Sequence, residues 1–328
     1  MTDRYARQIA LPDVGPTGQA RLAAARVLVI GAGGLGCPVL HYLAAAGIGR
    51  LIVVDPDRVE ESNLHRQPLY TMADIGARKV EAAHAALLRL NPTIAVEARP
   101  QRLTPGNAAA LVATADIVVD AADSLAATYV LSDACLQQHT PLISASAVGL
   151  AGYVAGFCAG APSYRAVFPE MPARAASCSS AGVLGSVVGL LGSLQAQFVL
   201  QWLLGIEPSP LGRLTSFDAG RLAFGGFDFH HAGEPAGEVL RFIDVDEVTP
   251  RDVVIDLRGL DEAPTSPLAN ALRFTPERLA AFTAEHPPTD RRVVLCCQSG
   301  LRAWRAARQL QSRGYRQLAL VTLAGLPS

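Results

Sequence analysis

Positive charge is not in surplus here. Lys and Arg number 28 against 29 Asp and Glu, for a net charge of −1. That argues against a nucleic-acid-binding protein, because a phosphate backbone selects a basic face. The first residues, MTDRYARQIALP, carry charges where a secretory signal needs an apolar run, so export is not expected. Cysteine is sparse. Six in 328 residues make no disulfide framework and read as reduced thiols of a cytoplasmic protein. Internal repeats and low-complexity tracts are absent as well. One stretch, AGVLGSVVGLLGSLQAQFVLQWLLG at 181–205, has the length of a membrane span. Gln195, Gln197 and Gln201 interrupt it and no Lys or Arg flanks it, so a buried helix is expected and no membrane partner. Gly182, Gly185, Gly189 and Gly192 recur at helical spacing and give that helix a bare face suited to close packing.

What is present is core. Half of the residues are hydrophobic, and the length suffices for two domains. Short apolar runs at 26–31, 50–55, 95–100, 116–120 and 141–146 read as strands buried on both faces. A helical pattern lies between them at 77–90, stopped by Asn91-Pro92. A strand candidate at 152–158 follows, then a loop rich in Pro, Ser and Ala to about 180, and a hairpin at 213–229. After a linker at 230–238, a smaller α/β unit has strands at 253–258, 292–297 and 317–322 and a helix at 301–314. The expected fold class is α/β. A Rossmann-like, mainly parallel sheet with helices on both faces occupies residues 1–232, and a small α/β domain occupies 238–328.

The stretch GAGGLG, 31–36, fits the G-x-G-x-x-G pattern between a strand and a helix. Gly31, Gly33, Gly34 and Gly36 permit the tight turn, and the helix N-terminal N–H groups bind phosphate. Asp55 ends the next strand, where a carboxylate holds ribose hydroxyls. Alone, these features fit an NAD- or FAD-dependent oxidoreductase. The next 25 residues change the balance with Asp57, Asn63, Arg66, Gln67 and Lys79. Cations beside a glycine turn suit a triphosphate and its departing pyrophosphate. Asp57 can help hold Mg²⁺ together with substrate phosphates.

The run from Gly31 to Ala83 resembles the MoeB/ThiF adenylyltransferase family, relatives of the ubiquitin-activating enzymes. So do RYARQI (4–9), VVDAAD (118–123) and AGVLGSVVGLLGSLQA (181–196). The resemblance covers about 1–230. It implies an enzyme that binds the Gly-Gly terminus of a small ubiquitin-like sulfur carrier and transfers AMP from ATP to its carboxylate. It further implies that Gly34 and Asp55 bind nucleotide, that Asn63, Arg66 and Lys79 bind phosphates, that Gln67 lines the site and that Asp123 positions Mg²⁺ or ATP. Arg7 would reach the other protomer's site, so a homodimer is implied. The chain departs from the family in three places. Ser163 and Ala166 stand where zinc-binding cysteines are usual, and no other Cys-x-x-Cys pair exists, so no zinc site is expected. Ser124 replaces the usual Asn. Thr128 replaces the usual Arg, which weakens one nucleotide contact.

Two cysteines are candidates for reaction. Cys178 precedes the glycine helix, with Arg174 nearby, a setting that favours thiolate. In similar proteins this cysteine can bond to the activated carrier, as an acyl disulfide, or shuttle sulfur. Cys297 opens the loop CQSGLR, 297–302, where consecutive N–H groups and Arg302 would surround its sulfur and could hold a persulfide. This loop, and the strand containing Asp256, resemble a short and eroded rhodanese (sulfurtransferase) domain over about 240–328. Cys296 points to the opposite face if the strand persists. Cys37, Cys135 and Cys158 read as core. Together the two resemblances imply adenylation followed by sulfur transfer to a thiocarboxylate, with a cysteine desulfurase as a candidate sulfur source. The rival readings are the oxidoreductase and a non-catalytic scaffold whose degenerate rhodanese module binds a carrier.

Overall fold

The computed structural model describes residues 3–172 and 182–325. A short helix α1 (Ala6–Ile9) is followed by α2 (Gly15–Ala24), β1 (Arg26–Ile30), α3 (Gly36–Ala46) and β2 (Arg50–Val54). Next come α4 (Lys79–Leu90), β3 (Ala95–Arg99), α5 (Pro105–Val112), β4 (Ile117–Asp120), α6 (Leu125–Gln138) and β5 (Leu142–Val148). β6 (Ala151–Phe157), α7 (Tyr164–Val167), α8 (Gly185–Leu204) and the hairpin β7 (Arg213–Asp218) and β8 (Ala223–Asp228) complete the first sheet and its helices. Its strand order is β3-β2-β1-β4-β5-β6-β7-β8. Pairing is parallel from β3 through β5 and antiparallel from β5 to β8. The expected α/β class and mainly parallel, Rossmann-like sheet are observed.

Period-two alternation places Val27, Val29, Leu51, Val53 and Val119 in one core, with α3, α4 and α8. Leu28, Ile30, Ile52, Val54 and Val118 lie in a second core, with α5 and α6. The expectation that all five early strands are buried on both faces fails for β3. It is the sheet's edge, and none of its residues is fully buried. The glycine helix also differs from expectation. It begins at Gly185, and Gly182 lies before it at φ 72°. A Cβ on Gly185 would overlap the His65 carbonyl and one on Gly192 would crowd the Leu35 carbonyl, whereas Gly189 faces open space. Two glycines, rather than four, make the close approach. α8 is long and apolar enough to cross a membrane, and it is half-buried against α3 and β5.

A second, five-stranded parallel sheet lies C-terminal to the first. It contains β9 (Arg241–Phe242), β10 (Val253–Asp256), β11 (Leu272–Arg273), β12 (Val293–Cys297) and β13 (Leu318–Thr322). α9 (Leu279–Glu285) and α10 (Leu301–Gln311) accompany it. Trp304 of α10 docks this unit on the first. Its ring lies 5.0 Å from that of Tyr129 on α6, and its indole N–H donates to Glu170 at 3.2 Å. Arg308 reaches the same carboxylate, and the Arg165 guanidinium sits over both the Tyr129 and Trp304 rings.

The glycines of the α3 turn and of α8 are not equivalent for stability. A Cβ on Gly36 would overlap the Gly31 carbonyl oxygen, whereas one on Gly189 meets nothing within 4 Å. Thermal unfolding of Gly36→Ala should show a loss of roughly 1–3 kcal/mol, the usual cost of overpacking. Gly189→Ala should gain up to about 1 kcal/mol from reduced backbone entropy. Equal shifts in the two variants would contradict the packing described.

Candidate active site

Strand order reverses across β1, whose neighbours are β2 and β4. A crevice therefore opens at the carboxyl ends of β1 and β4, the usual ligand position in such sheets. The Gly31–Gly36 turn fills its floor. Gly31 adopts φ 97°, and a Cβ there would lie 2.6 Å from the Ala121 carbonyl oxygen. Gly34 is wedged between Val188 of α8 and the backbone of Arg66. Gly33 has only the Gln67 amide within 4 Å, at 3.6 Å. A Cβ would fit there without a clash, so this is the open position of the turn.

The turn is held from below. Asp55 accepts the Ala32 N–H at 2.8 Å and the Asp57 N–H at 2.8 Å. Burial raises its pKa, opposed by the nearby Lys79 charge. The Tyr70 hydroxyl donates to the Ala32 carbonyl at 2.7 Å. Lys79 is buried and its ammonium lies 3.0 Å from Asp57. Arg66 donates to the Ser62 carbonyl at 3.0 Å. Asn63 is buried, and its carbonyl accepts the N–H groups of Arg66 and Gln67. Gln67 is buried beside Gly33, and its Oε1 has no partner in the described structure. A buried acceptor without a donor is costly, and a nucleotide hydroxyl or amine over Gly33 would relieve it. The fold thus gathers the glycines, Asp55, Asp57, Asn63, Arg66, Gln67 and Lys79 around one crevice. Asp123 is exposed on the segment after β4 that borders it.

Other candidates lie elsewhere. Arg7 is exposed on α1. Its neighbour Tyr5 packs on Gly47 and bonds Asn91, and Gln8 bonds the Ala46 carbonyl. These contacts sit where the chain enters β2 and β3, at the opposite strand ends from the glycine turn. Within one chain, Arg7 does not join the crevice. Cys178 and Arg174 lie outside the described residues. Cys297 ends β12 in the second sheet, fully buried, and its sulfur accepts N–H groups from Gly300 at 3.2 Å and Ala303 at 3.4 Å. Arg302 lies beside the Cys297 sulfur as expected, but both its terminal nitrogens also bond Glu262. Much of its charge is therefore neutralised locally. Cys296 belongs to the core on the other face of β12, and burial raises its pKa. Cys37, Cys135 and Cys158 are buried, with raised thiol pKa values.

The departures from the family pattern also acquire physical roles. Ser163 caps α7, and its hydroxyl donates to Glu234 at 2.6 Å. Ser124 caps α6. Thr128 is buried and donates to the carboxylate of Asp120 at 2.7 Å, so its hydroxyl is directed at Asp120. Among the described residues, no group of three or more His, Cys, Asp or Glu side chains could hold a metal. The sequence reading missed Asp120 and Tyr70. It also passed over a composition signal, for Lys79 is the only lysine in the chain.

Two expectations follow. Gly33→Ala should leave the melting temperature within about 1 °C, given ordinary packing distances, yet, if the turn receives a phosphate, weaken ATP binding at least about tenfold in calorimetry. Undiminished binding would remove the phosphate from this turn. Burial pushes Asp120 up to about 6 from an ordinary 3.8. Folding then takes up a proton between those values, so stability from this group is full below the lower one and is lost as pH rises through the upper. Asp120→Asn removes that slope. Its melting temperature should rise relative to the parent's between pH 4 and pH 7, roughly the titration window. A difference constant with pH would refute this.

The ThiF family model matches residues 5–236. The chain is 50% identical over 219 residues to the Bos taurus protein named adenylyltransferase and sulfurtransferase MOCS3, covering 66% of this chain and 48% of that one. It is 46% identical over 230 residues to the sulfur carrier protein adenylyltransferase of Thermus thermophilus, covering 68% of this chain and 85% of that one. The chain thus spans about half the length of the bovine relative and most of the bacterial one. Among solved structures, E. coli MccB with ATP superposes with a TM-score of 0.61 at 23% identity, covering 71% of this chain and 73% of that one, a likeness of fold. With the family model matched from residue 5 to residue 236, the chain belongs to the ThiF family.

Proposed function

We propose that this chain is an ATP-dependent adenylyltransferase acting on the C-terminal glycine of a small ubiquitin-like sulfur carrier. One observation carries the reading. The chain's single lysine is buried against Asp57 beside a glycine turn whose open position is Gly33. A buried ammonium at a phosphate turn is expensive unless an anion or carboxylate compensates it, and it suits a triphosphate. The names of the two relatives support the same chemistry.

In this reading Gly33, Gly34 and the α3 N-terminus receive phosphates, with Asn63, Arg66 and Lys79 around them, Gln67 beside Gly33 and Asp55 near the ribose. Asp123, exposed at the crevice, is the stronger of the two Mg²⁺ candidates, because Asp57 is already paired with Lys79. The carrier's carboxylate attacks the α-phosphorus and pyrophosphate leaves. Arg7 belongs to the neighbouring protomer's site in a homodimer, which its distance from its own crevice favours. A persulfide on Cys297, loaded by a sulfur donor such as a cysteine desulfurase, attacks the acyl carbon and AMP leaves. The Cys178 thiol then attacks the Cys297 sulfur of the adduct. The carrier departs as thiocarboxylate, and the Cys178–Cys297 disulfide requires a thiol reductant for reset. A second reading of the C-terminal unit, as a docking module, is favoured by the buried Cys297 and the Glu262–Arg302 pair.

Carrier-dependent ATP–pyrophosphate exchange tests the main reading. Asp123→Ala should abolish exchange; undiminished exchange removes Asp123 from the site. Cys297→Ala should leave exchange within about twofold, since it lies outside the nucleotide crevice, and block thiocarboxylate formation. An unchanged thiocarboxylate yield would favour the docking module.

A further inference from the structure

Asp120 ends β4 and is fully buried. Its Oδ2 accepts the hydroxyls of Thr128 at 2.7 Å and Ser144 at 2.8 Å. Its Oδ1 accepts the Ala122 N–H at 3.2 Å. Its carbonyl accepts the Gln195 side-chain amide at 2.7 Å, which also reaches the Ile143 carbonyl at 3.0 Å. The carboxylate thereby ties together β4, the first turn of α6, β5 and the segment that leads to Asp123, while α8 is tied to its backbone. The titratable groups coupled to it are Asp123 on that segment, Cys135 on α6, Tyr153 on β6 and Tyr164 on α7. None is a cation. A buried carboxylate held only by neutral donors costs stability that an apolar residue would not.

Its position explains why it is worth that cost. The segment it tethers carries the Ala121 carbonyl that closes on Gly31. The helix bonded to its carbonyl also contacts Gly34 through Val188 and the Arg66 loop through Gly185. Fixing the 121–124 segment therefore fixes Asp123 relative to the glycine turn.

We propose that Asp120 is a positioning residue for adenylation, acting through the Ala122 amide and the Thr128 hydroxyl to hold Asp123 at the mouth of the phosphate turn. This rests on the ATP-dependent reading above. Thr128→Val keeps shape and removes one hydroxyl donor, and Thr128→Ser keeps the donor. Thr128→Val should lower kcat for pyrophosphate exchange about tenfold with the KM for carrier unchanged, the scale of one hydrogen bond to a charged group. Thr128→Ser should stay within about twofold. Amide hydrogen exchange of the 121–127 peptide should quicken in Thr128→Val and not in Thr128→Ser. Ser144→Ala, on another strand, should reproduce the Val pattern. Unchanged kcat and unchanged amide exchange in Thr128→Val would overturn the proposal, as would equal impairment in Thr128→Ser. A parent protein without pyrophosphate exchange would refute the adenylation reading and with it the catalytic role, while amide exchange would still decide whether the hydroxyl tethers the segment.

Discussion

The crevice depends on one close approach. Where strand order reverses, the Gly31 turn and the segment after β4 meet with no room for a Cβ between them. Gly31 is in a left-handed conformation that other residues adopt only under strain. A second squeeze, Gly36 against the Gly31 carbonyl, seats α3 directly on the strand. A helix N-terminus is thereby aimed into the crevice, and backbone N–H groups can approach an anion without side chains in the way. In the proposed site, the cations of the 61–79 stretch and Asp123 on the segment after β4 depend on this compact junction.

Much of this was legible because it is local. The glycine turn, Asp55 and the cluster through Lys79 lie within some fifty residues, and β1, β2, β4 and β5 announce themselves by short apolar runs, whereas the two-residue strands β9 and β11 do not. The Cys297 loop is local too, and its amide contacts to the sulfur come from residues three and six positions along. What could not be read depends on residues brought together by the fold. Ser144 and Gln195 meet Asp120 across 24 and 75 residues. Thr128 was read as the loss of a contact because spacing alone does not show which way a helix turns its hydroxyl. Glu262 lies 40 residues from the arginine it neutralises. The edge position of β3 follows from strand order, which an apolar run does not encode.

The second sheet is joined to the first by an aromatic and cationic contact. Tyr129, Trp304, Arg165, Arg308 and Glu170 combine ring packing, cation–π stacking and hydrogen bonds to one carboxylate. Such contacts have definite orientation, so α10, which begins just after the Cys297 loop, keeps a fixed relation to α6. The price is access, because the Cys297 sulfur is buried in this arrangement. Sulfur chemistry there requires the loop or the docked unit to open first.

The arginine bias has a chemical consequence of its own. Of the 28 Lys and Arg residues, all but Lys79 are arginines, and Lys79 is buried against Asp57. A guanidinium stays protonated at neutral pH and is a poor nucleophile, whereas a free ε-amine is readily acylated. On the proposed adenylation, a mixed anhydride formed beside this surface would meet no exposed lysine of this chain to trap it as an isopeptide, which would leave the acyl group open to thiol attack.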